Sequence, residues 1–132
     1  MRNKFNSKKV TVDGRTFDSA SEAKHYVFAL KPRLDAGEIS NLQFQPEFRI
    51  EHRGIKICKY KADFSYYDKS VTGTQGQRGS LVVEDVKGFK TDVYRLKKKL
   101  VEAFHPGIKI LEVSAAKYRA KKYSLQSQND AE

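Results

Sequence analysis

Apolar side chains recur at every second position through most of this chain and at every third or fourth position in two stretches, which predicts strands broken by two helices. Lys9 to Val12 and Arg15 to Phe17 flank Asp13-Gly14, a favoured two-residue hairpin turn. Ser19-Ala20-Ser21-Glu22 has the form of a capping box, with Asp18 as a rival cap, and starts a helix that runs to about Ala36 before Gly37 stops it. Its buried stripe is Ala23, Val27, Leu30 and Leu34 with Tyr26 beside it, and Pro32 kinks or splits it. Leu42 to Ile50 alternates as one strand with Pro46 at an edge or bulge. His52-Arg53-Gly54 turns the chain into a second strand, Ile55 to Tyr67.

A polar loop, Asp68 to Ser80, leads to the strand Leu81 to Lys87. Thr91 then caps a helix over Asp92 to Phe104, with Val93, Leu96, Leu100 and Phe104 as the buried stripe. Pro106 and Gly107 end it, and Ile108 to Val113 is a last strand, expected parallel to the Leu81 strand through a right-handed crossover. The order is helix, a meander of three strands, helix, strand. It predicts an α/β, mixed α+β domain: a central mixed sheet of four to five strands flanked by helices. The domain is expected over residues 9–114, between a flexible basic arm (1–8) and a basic, disordered tail (115–132).

The strand Leu81 to Gly88 ends in chemistry. Period two puts Leu81, Val83, Asp85 and Lys87 on one face and Val82, Glu84 and Val86 on the other. An aspartate and a lysine at i and i+2 on an apolar strand are costly unless they form a site. Asp63 is the one acid of the Ile55 to Tyr67 strand. Paired strands lie about 5 Å apart, the spacing at which two carboxylates can share a hard cation, so Asp63, Asp85 and Lys87 form a candidate cluster. Against it stands the reading of Asp85 and Lys87 as a solvated ion pair at a sheet end. Glu84, on the opposite face, is assigned to a structural salt bridge. Glu22 either caps its own helix or reaches the cluster as a third acid, and it cannot fully do both.

Charge narrows the partners. In 132 residues, Lys and Arg number 26 against 16 Asp and Glu, a net +10. That favours a polyanion, nucleic acid before membrane. Lys90, Tyr94, Lys97 and Lys98 after the active strand, with Lys117, Arg119, Lys121 and Lys122 near the end, are the candidate DNA-binding residues. Cys58 is the single cysteine, which excludes an intrachain disulfide or zinc cluster and points to a reduced, cytoplasmic setting. His25, His52 and His105 match no ligand spacing and read as surface or helix-end residues.

Asp63, then Asp85-Val86-Lys87 on a strand, after a helix carrying Glu22, resembles the PD-(D/E)XK nuclease superfamily. Phe17-Asp18-Ser19, Leu42-Gln43-Phe44-Gln45-Pro46, Tyr60-Lys61-Ala62-Asp63-Phe64 and Thr91-Asp92-Val93-Tyr94 extend the resemblance to a small phage and prophage family related to Holliday-junction resolvases, over roughly Lys9 to Val113. Asp63 follows alanine where the superfamily's name has proline. The resemblance implies a restriction-endonuclease-like core and a Mg²⁺- or Mn²⁺-dependent endonuclease. Asp63, Asp85 and the Val86 carbonyl would hold the metal, Glu22 would complete its shell, and Lys87 would orient or deprotonate the attacking water. It also implies branched DNA as substrate, a homodimer, and a role in phage recombination or replication inside a bacterial host. A monomeric nuclease for flaps, ends or single strands and a non-catalytic DNA-binding module are the rival readings.

Overall fold

The computed structural model describes residues 8–70 and 79–121. The chain opens with the hairpin β1 (Val10–Val12) and β2 (Arg15–Phe17). Asp13 and Gly14 both have positive φ there, as the type I′ turn demands. Ser19 Oγ accepts the Glu22 N–H at 3.2 Å and starts α1 (Ala20–His25). The helical run widens into a π turn over Tyr26–Leu30 and returns to α geometry in α2 (Lys31–Asp35). Pro32 explains the π turn: its ring displaces the carbonyl four residues back and offers no N–H, so the preceding turn opens and the run survives. Gly37, at φ +78°, stops it.

The two long strands expected next are each broken in two. β3 (Ile39–Phe44) and β4 (Glu47–His52) form the first arm, β5 (Ile55–Lys61) and β6 (Phe64–Asp68) the second. β3 pairs with β6 and β4 with β5, so Leu42 to Ile50 and Ile55 to Tyr67 are not single strands. Gln45 takes a positive φ and Pro46 has no N–H to continue a ladder. Two bonds bridge the bend, from Gln45 N–H to the Asp63 carbonyl (2.9 Å) and from Ala62 N–H to the Pro46 carbonyl (3.0 Å). Asp63 therefore lies at the corner of a folded hairpin.

The central four-stranded sheet has the order β3-β6-β7-β8, with β7 (Ser80–Lys87) antiparallel to β6 and parallel to β8 (Ile110–Ser114). α3 (Asp92–Phe104) joins β7 to β8, and Thr91 Oγ1 accepts the Tyr94 N–H at 3.0 Å. The mixed α+β class and the parallel last pair are thus as expected. Each face of the sheet carries its own core. Phe17, Ala23, Leu30, Phe64, Tyr66 and Val86 fill one; Ile50, Tyr60, Val83, Tyr94, Val101 and Ile110 fill the other.

Three expectations fail on packing. The buried stripe of α3 is set by Tyr94 and Val101, which leaves Val93 (62% exposed), Leu96 (58%) and Phe104 (38%) toward solvent. The helix is rotated from its apolar face because the Tyr94 hydroxyl is drawn in to Glu112 on β8 (2.8 Å). Residues 115–118, expected in the tail, are also part of the fold. Ala115–Tyr118 form a 3₁₀ turn and Tyr118 is buried, its hydroxyl 2.6 Å from His25 Nδ1. His25 is accordingly a core residue and not a surface one. The arm 1–7, the loop 71–78 and the segment 122–132, including Lys122, lie outside the described residues.

If the turn is part of the core, Tyr118→Ala lowers stability by about 3–5 kcal/mol, the cost of emptying a buried aromatic site. Lys117→Ala, one residue away and exposed, changes it by less than about 0.5 kcal/mol. Urea midpoints of the two variants check this; equal midpoints would return the segment to the tail.

Candidate active site

β7 ends between α1 and α3, and its alternation distributes charge to both sides. Glu84 points into the α1-side core, where it receives the His25 ring at 2.7 Å and the Tyr66 hydroxyl at 2.5 Å. Its role is structural, and it is more fully buried than a salt bridge on a strand face would be. Asp85 faces the α3 side and is 1% exposed. Its Oδ2 is buried without a hydrogen-bond partner, and its Oδ1 lies 4.0 Å from Lys87 Nζ. Lys87 in turn sits 4.3 Å above the Tyr94 ring.

Asp63 closes the gap at the end of the β6–β7 ladder. Its N–H donates to the Glu84 carbonyl (3.0 Å), and its Oδ2 accepts the Val86 N–H at 2.7 Å. A strand residue turns its N–H and carbonyl toward the same neighbour, so the Val86 carbonyl is also directed to the Asp63 side. Glu22 approaches Asp63 from α1, close enough for the two carboxyls to act on each other. The cap bond to Ser19 is made by the Glu22 N–H, and the Glu22 side chain takes up the Asp18 backbone as well as reaching toward Asp63. The cap and the third acid are thus compatible.

Burial governs the protonation of these groups. It pushes the Glu22 carboxyl up to about 8, helped by the Asp63 and Asp18 charges and the bond to Asp63, against a lowering bond from the Asp18 backbone. Asp63 is also raised, by burial first, while the Val86 N–H, Lys87 and the bond from Glu22 oppose the rise. Both carboxyls are thus held above their ordinary range, Glu22 further by the charge of Asp63 beside it. Burial pushes Asp85 up to about 7, with Lys87 opposing and Glu112 adding to it.

The structure brings Glu22 and Asp63 into contact and sets Asp85 beside Lys87, whose charge acts on both Asp63 and Asp85. It does not gather the three acids: among the described residues no group of three or more His, Cys, Asp or Glu side chains is placed to hold a metal ion. The Glu22–Asp63 pair nevertheless has the character of a hard-cation site, since two desolvated carboxylates in contact need a proton or a metal between them. The orphaned Asp85 Oδ2 is a further oxygen in want of a partner.

The expected DNA-binding residues divide. Tyr94 is buried and bonded to Glu112, so it supports Lys87 and has no face for DNA. Lys90 pairs with Glu112 at 2.9 Å and Lys98 with Glu102 at 3.5 Å. Lys97 is half-buried. Lys117, Arg119 and Lys121 are exposed, and Arg119 lines a cleft of about 500 Å³ with Asp18, Ser19, Glu22 and Lys87. Sequence reading missed Arg15 and Gln45, which line a second depression, of about 150 Å³, with Glu22 and Asp63. Nothing local marks them, because both reach the acids only through the folded hairpins.

Residues 2–125 match a family model described as a protein of unknown function (DUF1064). No curated protein and no solved structure matches the chain.

The carboxyl shifts fix a pH dependence. Glu22 and Asp85 are raised above their unfolded values of 4.5 and 3.8, so the folded state holds their protons longer. Their contribution to stability is complete below those unfolded values and is lost as pH rises through about 7 to 8. Glu22→Gln and Asp85→Asn are therefore expected to raise the metal-free melting temperature at about pH 9 by ~4 °C or more and to leave it nearly unchanged at about pH 4. Thermal melts across that range check it; a wild type as stable at the upper pH as its variants would refute the buried-carboxyl reading.

Proposed function

We propose that this chain, which belongs to the DUF1064 family of proteins of unknown function, is a metal-dependent DNA endonuclease. The observation that carries the reading is Lys87, held 4.0 Å from Asp85 and acting on Asp63, next to a carboxylate pair in need of a cation. Glu22, Asp63 and the Val86 carbonyl are the residues to hold Mg²⁺ or Mn²⁺, with Asp85 adding its unpartnered oxygen. A bound divalent ion supplies charge neutralisation at the phosphate and a water acidic enough to attack near neutral pH. Lys87, with its ammonium fixed by the Tyr94 ring and Asp85, orients that water and offsets the negative charge gathering on the phosphoryl oxygens. The water oxygen bonds to phosphorus, the bond to the 3′ oxygen breaks, and that oxygen takes a proton. The products are a 5′-phosphate and a 3′-hydroxyl.

The superfamily resemblance, the net charge of +10 and the exposed Lys117, Arg119 and Lys121 support DNA as the substrate. No helix among the described residues is long and apolar enough to cross a membrane. Selectivity for branched DNA, with two copies cutting symmetrically in phage recombination, is the finer form of the proposal. The separation of Asp85 from the Glu22–Asp63 pair favours a second reading, a DNA-binding module without chemistry.

Labelled four-way junction, flap, duplex and single-stranded DNA, incubated with Mg²⁺ or Mn²⁺ and with EDTA, separate these readings. Metal-dependent cleavage is expected, with a loss of about 10²–10⁴-fold in Lys87→Ala and no cutting by Asp85→Asn. Paired symmetric nicks on the junction identify a resolvase; cutting of flaps or single strands alone leaves a nuclease of another kind. Binding without cutting under either metal leaves the binding module. Independently of activity, Mg²⁺ is expected to raise the melting temperature of the wild type and not of the Glu22→Gln, Asp63→Asn double variant. An equal rise in both would remove this pair from the metal site.

A further inference from the structure

The β1–β2 hairpin is anchored by Phe17, which is buried among the rings of Tyr26, Phe44 and Phe64 at centroid distances of 5.5, 6.0 and 6.4 Å. Period two puts Arg15 on the same face of β2 as Phe17, so the anchor carries Arg15 over that aromatic cluster. Its Cζ lies 3.6 Å from the centroid of the Phe44 ring. A planar guanidinium laid on a ring is held by its face and keeps its N–H edge for an acceptor in its own plane. Arg15 is exposed, and among the described residues no carboxylate forms an ion pair with it.

Arg15, Phe44 and Gln45 share with Glu22 and Asp63 the depression of about 150 Å³. That is half the lower end of the ~300–1,000 Å³ class of small-ligand sites, a size that suits a phosphate group and not a nucleoside. The bland role for Arg15 is to screen the two acids. The leading cation acting on Asp63 is instead Lys87, so the ordered guanidinium of Arg15 is left without a task inside the fold.

We infer that Arg15 is a phosphate-binding residue, which takes a backbone phosphate of DNA in a two-pronged contact within about one nucleotide of the bond presented to Glu22 and Asp63. The inference rests on the nuclease reading for the choice of DNA and for the divalent ion. Two acids in the same depression repel an anion, and a divalent ion on them reverses that sign. Phosphate binding at Arg15 and metal binding at the acids therefore favour each other, by the same factor in both directions. Phe44 supplies the platform, and its position beside the Gln45-Pro46 bend ties the phosphate contact to the corner that carries Asp63.

Fluorescence anisotropy with a labelled DNA duplex, in Ca²⁺ and in EDTA over a range of salt, tests this with binding read apart from cleavage. In Ca²⁺, Arg15→Ala is expected to weaken binding about tenfold and to lower the slope of log affinity against log salt by about 0.9, the value for one phosphate contact. Arg15→Lys, which keeps a cation over Phe44, is expected to keep the slope and recover only part of the affinity, because an ammonium is a point charge without the planar fork. The loss in Arg15→Ala is expected to be smaller in EDTA than in Ca²⁺. Arg53→Ala removes the same charge at the turn between β4 and β5 and controls for net charge. Equal losses in Arg15→Ala and Arg53→Ala, or an unchanged affinity in Arg15→Ala, would overturn the inference. A loss of the same size in Ca²⁺ and in EDTA keeps the phosphate site and overturns its coupling to the metal. Cleavage is scored separately: a protein that cuts DNA with kcat/KM untouched by Arg15→Ala keeps the nuclease and loses this site, and one that binds DNA through Arg15 and never cuts keeps the site and loses the nuclease.

Discussion

The buried Glu84 carboxylate is the constraint on which the remaining geometry turns. A carboxyl group out of water is tolerable only when its oxygens are partnered, and here they are partnered by His25 from α1 and Tyr66 from β6, with Tyr118 completing the chain of bonds through the His25 ring. One buried side chain thus fastens the first helix, the central strand pair and the C-terminal turn together. It also fixes register. A one-residue slip of β7 would carry Glu84 out of its donors and exchange every side chain between the two faces. Holding Glu84 toward α1 is therefore what holds Asp85 and Lys87 toward α3.

On this frame the candidate site is assembled from both faces of one sheet end. Glu22 arrives from the α1 side at Asp63, which lies at the corner where the hairpin bends, while Asp85 stays apart on the α3 side beside Lys87. The bend itself shapes this candidate site. An unbroken β5–β6 strand would carry Asp63 through in regular pairing; the corner at Gln45-Pro46 and Ala62-Asp63 lets its carboxylate turn to the Val86 N–H in place of a ladder partner.

Sequence alternation was enough to assign Asp85 and Lys87 to one face and Glu84 to the other, because period two is a local property of β7. The Asp13-Gly14 turn, the Ser19 and Thr91 caps and the Gly37 stop were legible for the same reason. The bend was not, since alternation counts positions and is blind to a corner that keeps the count while changing the core: Tyr60 and Ala62 fill one core, Phe64 and Tyr66 the other. Tyr118 and His25 were missed because their bond spans 93 positions, and a basic neighbourhood hides a buried ring. The α3 stripe was misread because apolar spacing chose Val93 and Leu96, whereas the hydrogen bond from Tyr94 to Glu112 and the seat of Lys87 chose the helix rotation.

That rotation changes what the basic residues after β7 are for. Lys90 pairs with Glu112, Glu112 receives the Tyr94 hydroxyl, and the Tyr94 ring lies under Lys87. Residues that composition alone assigns to gripping DNA are thus spent in a relay that positions a single ammonium. The ring holds the charge by its face while Asp85 draws it from the side, and a long flexible side chain is ordered without being neutralised by a close pair, since Lys87 and Asp85 remain 4.0 Å apart. Of the two cations that line the cleft beside Glu22, Lys87 is the one fixed in this way, and Arg119 has no carboxylate partner among the described residues.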